Sequence, residues 1–359
     1  MKRQTYLEVN LSNFKHNINE IKKLHKDKEI IPVIKANAYG THINKRLDII
    51  NEFNIVAVAI VEEALYLREL GYKKDILVLN QPYIEEIEDI ISNNITVGLS
   101  SIDFLKELIK QDKQVKIHVE VETGMNRTGF QSLDELLKTL HNSNNIIVEG
   151  LYTHFSSADT DDEYTKKQIS KFKEYYNILI KEFPNLKYIH TSASNGLVNY
   201  NIDITNAIRP GIIMYGYPSY DEILNKIDLK PTTKLITKIS YLKEIPANES
   251  VSYNQTYKTT KTTKIATLGI GYADGLRRSL SNKGNVIINN TLCPIIGNVC
   301  MDSILVDVTH LQNVSIGDKV YIYDNELVTL EDIAKISNTI NYEILSNISE
   351  RVPRVYIQE

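Results

Sequence analysis

The sequence predicts an α/β protein, a (β/α)8 TIM barrel followed by a mostly β C-terminal domain. Three observations predict it. Through the first two thirds of the 359 residues, short runs rich in Ile and Val alternate with polar stretches of helical period, the pattern of parallel strands joined by crossover helices. There are about eight such runs, the number that closes a barrel of roughly 200 to 250 residues. After Pro231 the texture changes to alternating polar and apolar residues, as in TKLITKISYLKEI and KVYIYDNELVTL, with Thr-rich turns between them, which suits a half-buried antiparallel sheet.

In chain order, the predicted barrel strands span 31–35, 55–60, 76–80, 95–99, 116–121, 147–153, 187–191 and 205–209. Segments 61–70, 102–109, 133–140 and 164–180 carry apolar residues at helical spacing opposite lysines and glutamates, as outer barrel helices do. The pattern breaks at DLKPTT, near 228–233, dividing the chain into a barrel domain, 1–230, and a second domain, 231–359. The opening TYLEVNL also alternates, so a strand within 1–10 is a candidate member of the second domain's sheet.

Bulk composition narrows the partners. With 42% hydrophobic and 24% charged residues and a formal net charge of -4, the chain has no basic field for nucleic acid or a membrane surface, and a small-molecule partner fits better. No apolar run is long enough for a signal peptide or a membrane span, so the expected compartment is the cytoplasm. Cys293 and Cys300 are the only cysteines, too few for a disulfide framework and without further ligands at a zinc spacing, so no metal is expected.

In a barrel of this type the chemistry gathers where strands end and loops begin. The first strand runs into VIKANAYG, placing Lys35 at the rim with Tyr39 and Gly40 just beyond. Later ends lead into ETGMNRTG, YTHFSSAD, HTSASNG and AIRPGI. A lysine aimed into a barrel mouth is costly to keep as an unpaired cation, so its pKa should fall, and a neutral amine is the form that makes a Schiff base. Ser194 and the Gly211 to Ile212 turn offer a hydroxyl and backbone N–H groups, the usual materials of a barrel phosphate site after strands seven and eight. A lysine beside a phosphate cradle suggests pyridoxal 5'-phosphate.

VIKANAYG, ETGMNRTG, YTHFSSAD, RPGIIMYG, VSYNQTY, GIGYADG, GNVCMDS and ERVPR occur in an order and at a spacing that resemble the alanine racemase family, fold-type III pyridoxal-phosphate enzymes, over nearly the whole chain. The resemblance implies an isomerase that interconverts L- and D-alanine and supplies D-alanine for peptidoglycan. It also implies a homodimer with shared active sites. Lys35 would hold the cofactor and act as one of two bases, and Tyr253 in VSYNQTY would be the base on the opposite face. A free tyrosine has a pKa near 10, so work near neutrality needs a drop of about 3 units. Only the motif distinguishes Tyr253 among 22 tyrosines. Arg209 would face the pyridine nitrogen, and a guanidinium cannot hand over a proton. His154 would orient Arg209. Arg127 would bind the substrate carboxylate, Met301 would contact it through its backbone N–H with Asp302 alongside, and Tyr272 would line the entrance. Tyr39, Ser194, Gly211 and Ile212 would take the phosphate.

The chain departs from the family pattern at three places. Many relatives carry a carbamylated lysine where Glu120 stands, so Glu120 is expected to supply that negative charge directly, to pair with Arg127 and to free activity from carbon dioxide. HTSASNG keeps Ser194 but has Ala193 where an asparagine is usual. Glu350 stands where many relatives carry a tyrosine beside the cofactor, which leaves room for serine or a broader range of substrates. A pocket difference of one hydroxyl is worth only about 1 to 3 kcal/mol. A barrel decarboxylase would be longer and lack the VSYNQTY, GYADG and CMDS set. A non-enzymatic cofactor carrier would stop near Lys230.

Overall fold

The computed structural model describes residues 3–218 and 220–358. Strand β1 (Tyr6–Asn10) opens the chain, and the helix Leu11–Leu24 follows, its first turn capped by Asn10, whose Oδ1 accepts from the Asn13 N–H at 2.9 Å. Eight short strands then form the barrel: β2 (Glu29–Ile30), β3 (Ile55–Val58), β4 (Asp75–Val78), β5 (Thr96–Leu99), β6 (Val115–Glu120), β7 (Ile146–Tyr152), β8 (Tyr188–His190) and β9 (Ala207–Ile208). They pair side by side in the order β2-β9-β8-β7-β6-β5-β4-β3. A parallel bridge between Val33 and Ala57 joins the two ends. Runs such as IVAV in β3 and TVGL in β5 are buried on both faces, which is why they read as continuous apolar stretches.

Seven of these strands overlap the predicted ones. The first differs: β2 ends at Ile30, and Lys35 begins the short helix Lys35–Tyr39 instead of ending a strand. Ala36, Asn37, Ala38 and Tyr39 all lie in the left-handed region, with φ of 51°, 49°, 56° and 54°. Such a turn costs about 1 to 2 kcal/mol per non-glycine residue. Glu63 offsets part of it by accepting from the Ala36 N–H with one oxygen and the Ala59 N–H with the other. Gly40 closes the turn at φ 74°, and a Cβ there would meet the Leu345 carbonyl oxygen at 2.7 Å, so this loop packs directly on the second domain.

The helices Val61–Glu69, Ile102–Ile109, Asp134–His141 and Asp162–Glu182 fall on the predicted segments. Leu11–Leu24 and Ile87–Ser92 were not anticipated, nor were Leu330–Ile336 and Asn341–Ser346 in the second domain.

That domain is built from β10 (Thr233–Ile245), β11 (Ser250–Val251), β12 (Tyr257–Lys258), β13 (Thr263–Leu268), β14 (Asn285–Ile288), β15 (Thr291–Pro294), β16 (Ile304–Asp307), β17 (Lys319–Tyr323) and β18 (Arg354–Ile357). Its main sheet runs β15-β14-β17-β10-β1-β18, with β13 pairing both β10 and β16. The opening strand therefore lies in this sheet, antiparallel to β10 and parallel to β18. A single apolar cluster runs from Leu7 through the barrel helices to Val352 and ties the two halves together.

Candidate active site

Lys35 lines a cavity of about 50 Å³ at the barrel mouth together with Ala59, Leu79, Asn80, Arg127, Tyr152, His154 and Arg209. Four of these are strand-end residues: Ala59 and Leu79 follow β3 and β4, Tyr152 ends β7, and Arg209 follows β9. Burial lowers the Lys35 pKa, the charges of Arg127 and Arg209 lower it further, and Glu63 opposes them. The amine is thereby shifted toward its neutral, nucleophilic form.

Arg209 is 2% exposed, and its guanidinium is surrounded by neutral acceptors. Nη1 donates to the His190 carbonyl at 3.0 Å and to His190 Nδ1; Nη2 donates to the Thr153 and Thr191 carbonyls at 2.8 and 3.0 Å and to His154 Nδ1 at 3.2 Å. The cation also lies 5.3 Å from the centre of the Tyr152 ring. Burial pulls its pKa down to about 10, which still leaves it charged at neutral pH. Its charge and burial drive His154 to about 3, so that imidazole stays neutral.

The expected phosphate set comes together beside this cage. Ser194 Oγ accepts from the Gly211 N–H at 3.2 Å and the Ile213 N–H at 3.4 Å, at the start of the turn Ile212–Tyr215. A Cβ on Gly211 would lie 2.3 Å from the Tyr39 hydroxyl, so only glycine leaves that hydroxyl where it is. Tyr39 is buried, with its ring centre 4.8 Å from that of Tyr215 and the two planes tilted by 42°. Ser194 and His154 also line a cavity of about 630 Å³ that extends to Tyr342 in the second domain. His154 is common to the two cavities. An open cradle floored by glycine, next to an amine of lowered pKa and a caged guanidinium, fits pyridoxal phosphate.

The loop carrying Arg127 is held at its root. Phe130 N–H donates to the Glu120 carbonyl at 2.8 Å, Glu122 N–H to the Phe130 carbonyl at 3.0 Å, and the Glu122 carboxylate accepts from the Gly124 and Asn126 N–H groups. Arg127 itself is exposed. The expected ion pair with Glu120 is absent within 4 Å. The Glu120 carboxylate is buried, facing Thr128 and Tyr152 and feeling Arg127 only through space, while the exposed Arg127 lines the Lys35 cavity. Burial raises its pKa, and Oε2 has no hydrogen-bond partner.

The second-domain residues lie elsewhere. Tyr253 is 69% exposed, Met301 52% and Tyr272 44%, and none of them lines the Lys35 cavity. Tyr253, Met301 and Asp302 line their own open pocket of about 440 Å³ with Ser252, Cys300 and Ser303. The segment is strained and pinned: Ser252, Asn254 and Gln255 have φ of 64°, 59° and 52°, Ser252 Oγ donates to the Asn298 carbonyl at 2.6 Å, and Asn298 Nδ2 donates to the Tyr253 carbonyl at 2.8 Å. Tyr272 and Ala273 N–H groups donate to the Cys300 and Met301 carbonyls at 3.0 Å, binding these two loops together. Asp302 is paired with Arg351 at 2.7 Å. Glu350 lies on the surface, paired with His42 at 3.0 Å, and lines neither the Lys35 cavity nor the one beside the phosphate cradle.

Residues absent from the expected set are Tyr152, His190, Asn80 and Glu63. Tyr152 and His190 could have been found by the strand-end rule, since YTHF and HTSA were already singled out. Glu63 acts from a helix flank, and its sequence carries no sign of that.

Comparison with known proteins follows the same lines. The family model described as alanine racemase, N-terminal domain, matches residues 9–219, and that for the C-terminal domain matches residues 232–356. An alanine racemase of Clostridium perfringens is 40% identical over 371 residues, covering 99% of this chain and 95% of the relative. Alanine racemase 2 of Caldanaerobacter subterraneus is 39% identical over 372 residues, covering 99% and 95%. The solved alanine racemase of Clostridium difficile matches with a TM-score of 0.93 at 33% identity, covering 100% of this chain and 97% of that one. That of Bacillus anthracis, solved with bound L-Ala-P, matches with a TM-score of 0.92 at 34% identity, covering 99% and 96%.

Proposed function

Because the chain belongs to the alanine racemase family, we propose that it interconverts L- and D-alanine on pyridoxal 5'-phosphate, using Lys35 and Tyr253 as two bases on opposite faces of the substrate. The observation that carries the reading is the convergence, at one barrel mouth, of a lysine of lowered pKa, a caged arginine and a glycine-floored phosphate cradle. When bound, the cofactor supplies an aldehyde that captures amines and a ring that stabilises negative charge at the substrate α-carbon.

Lys35 would hold the cofactor, and its neutral amine would take or return the α-proton on its own face. Arg209 would face the ring nitrogen; it has only donors and keeps its proton, so it would leave that nitrogen unprotonated. His154, neutral down to about 3, braces Arg209 without adding charge. Arg127, exposed at the loop tip, offers a planar fork to the substrate carboxylate. Tyr39, Ser194, Gly211 and Ile212 would hold the phosphate.

Tyr253 delivers its hydroxyl from a second copy of the chain, with Met301, Tyr272 and Asp302 completing the carboxylate site and entrance. The exposure of this set on a single chain, away from Lys35, supports a homodimer with shared sites. Alanine is taken as the substrate because the relatives that match over the whole chain are named alanine racemases. The reaction supplies D-alanine for peptidoglycan in the cytoplasm; no described helix is long and apolar enough to cross a membrane.

Incubation with L-alanine or L-serine in deuterated water, followed by chiral analysis, tests the assignment. The expected result is deuterium at the α-carbon of both alanine enantiomers and a much slower reaction with serine. Amine product with loss of carbon dioxide, or no exchange, would refute it.

A further inference from the structure

Two histidines that this chemistry does not use are fully buried in the barrel, His118 on β6 and His190 on β8. They form a single file leading inward from Arg209. Nη1 of the arginine donates to His190 Nδ1, His190 Nε2 lies 2.8 Å from His118 Nδ1, and His118 Nε2 faces Glu149 Oε2 at 3.8 Å. Glu149 in turn approaches Lys116 at 3.7 Å and Lys187 at 3.6 Å, and Asp75 meets the same two lysines at 2.8 and 3.7 Å. Asp75 is the first residue of β4, so the file crosses the barrel from its mouth to the opposite end.

The direction of every bond in the file is forced. A guanidinium has donors only, so His190 Nδ1 must accept. The proton of the neutral imidazole then sits on Nε2 and is donated to His118 Nδ1. That fixes the His118 proton on Nε2, which faces the Glu149 carboxylate at 3.8 Å, a charge–dipole approach in which neither Nε2 nor Glu149 Oε2 makes a hydrogen bond. An imidazolium at either position would set two donors face to face. Burial and the Arg209 charge push both histidines below their ordinary pKa, in agreement with this pattern.

We propose that His118 and Glu149 are positioning residues for Arg209: His118, backed by Glu149, accepts from the His190 Nε2–H and fixes the orientation of that ring, so that its Nδ1 is always presented to the guanidinium. What Arg209 faces rests on the proposed racemase reading, whereas the file does not. Without an acceptor at position 118, the buried His190 Nε2–H has no partner, and the ring turns toward another acceptor and carries Nδ1 away from Arg209. The arginine would then shift from the place where it would face the ring nitrogen, which could take a proton and make the ring a stronger electron sink. The substrate proton is then misdirected to the cofactor's own carbon, and hydrolysis with one water releases the keto acid and leaves the aminated cofactor.

The test begins with ¹⁵N signals of the histidine rings in the full-length holoenzyme. Both His118 and His190 should be neutral Nε2–H tautomers from pH 6 to 9; an Nδ1–H or imidazolium signal from either overturns the proposal, whatever substrate the enzyme proves to use. The variants His118→Asn and His118→Leu follow, with thermal unfolding as the check on folding. Asparagine keeps an acceptor oxygen near the place of Nδ1 and should hold kcat and keto-acid formation within about threefold of the parent. Leucine should lower kcat by about tenfold or more at an unchanged KM and raise the share of turnovers ending in keto acid by at least about tenfold, each tenfold corresponding to about 1.4 kcal/mol. Equal effects in both variants, or a change in stability alone, would overturn it.

Discussion

At the residue scale, Arg209 and Glu120 are opposite cases of a buried charge. Arg209 meets no carboxylate within ion-pairing distance among the described residues, yet its two terminal nitrogens reach five neutral acceptors, which is enough to keep it charged. Glu120 has the reverse problem: a buried oxygen with no donor and a pKa raised by burial. A carboxylate left this way is costly unless its field is used, and the exposed cation that feels it at the mouth is Arg127. Glu120→Gln keeps the shape and removes the field. It should leave the melting temperature nearly unchanged and raise KM for L-alanine by about three- to tenfold, the equivalent of about 0.7 to 1.4 kcal/mol. Degassing should cost the parent enzyme nothing; bicarbonate-dependent recovery of activity would show that some other group carries the charge. Glu120 was conspicuous in the sequence because it breaks a motif. The oxygen's isolation was not, since it depends on where Thr128 and Tyr152 stand in space.

At the element scale, legibility followed local periodicity. β3 to β9 were readable because each is a short apolar run bounded by polar helices, and Ile102–Ile109 was readable to the residue because Ser101 caps it and Phe104, Leu105 and Leu108 share one buried face. The turn after β2 was not readable. Four successive left-handed residues, two of them alanine, contradict local propensity and persist only because Glu63 and the second domain hold them. The short helices Leu330–Ile336 and Asn341–Ser346 were missed because six or seven residues are too few to establish a period. The turn at Gly211, the proposed phosphate site, shows the same dependence on space. Its glycine is ordinary in the sequence and decisive in the fold, because the Tyr39 hydroxyl occupies the room a side chain would need. Gly211→Ala should therefore weaken cofactor affinity by about tenfold or more, about 1.4 kcal/mol, as read by equilibrium dialysis. Gly269→Ala is the control, because a Cβ at Gly269 has nothing within 4 Å. Equal affinity in the two variants would remove the cradle from the account.

At the scale of the whole molecule, the neutral histidines of the barrel link stability to pH. His118, His154 and His190 all have folded pKa values below the ordinary 6.5, so between 6.5 and those values the unfolded chain binds protons that the folded chain refuses. Their contribution is complete above about 6.5 and is lost as the pH falls, each group costing about 1.4 kcal/mol per pH unit. Urea midpoints should drop steeply from pH 6.5 to 5, with proton uptake on unfolding. A flat profile would mean that these rings are charged inside the barrel.

The same scale decides whether one chain is an enzyme. Lys35 and its cage belong to the barrel, and the strained segment bearing Tyr253 presents its ring outward from the second domain. If the site is completed by a second copy, Lys35→Ala and Tyr253→Phe disable different halves of it. Each variant alone should be inactive, since every site in its dimers lacks one base. In a mixed dimer, the Lys35 of one chain meets the Tyr253 of the other at one site, while the remaining site has neither. Random reassortment makes half of all dimers mixed, so an equimolar mixture, dissociated and allowed to reassociate, should recover about one quarter of the parent activity per chain. Racemisation assayed before and after reassortment measures this directly. No recovery, with mixed dimers demonstrated by mass, would put both bases on one chain and require the outward-facing tyrosine segment to fold back onto its own barrel.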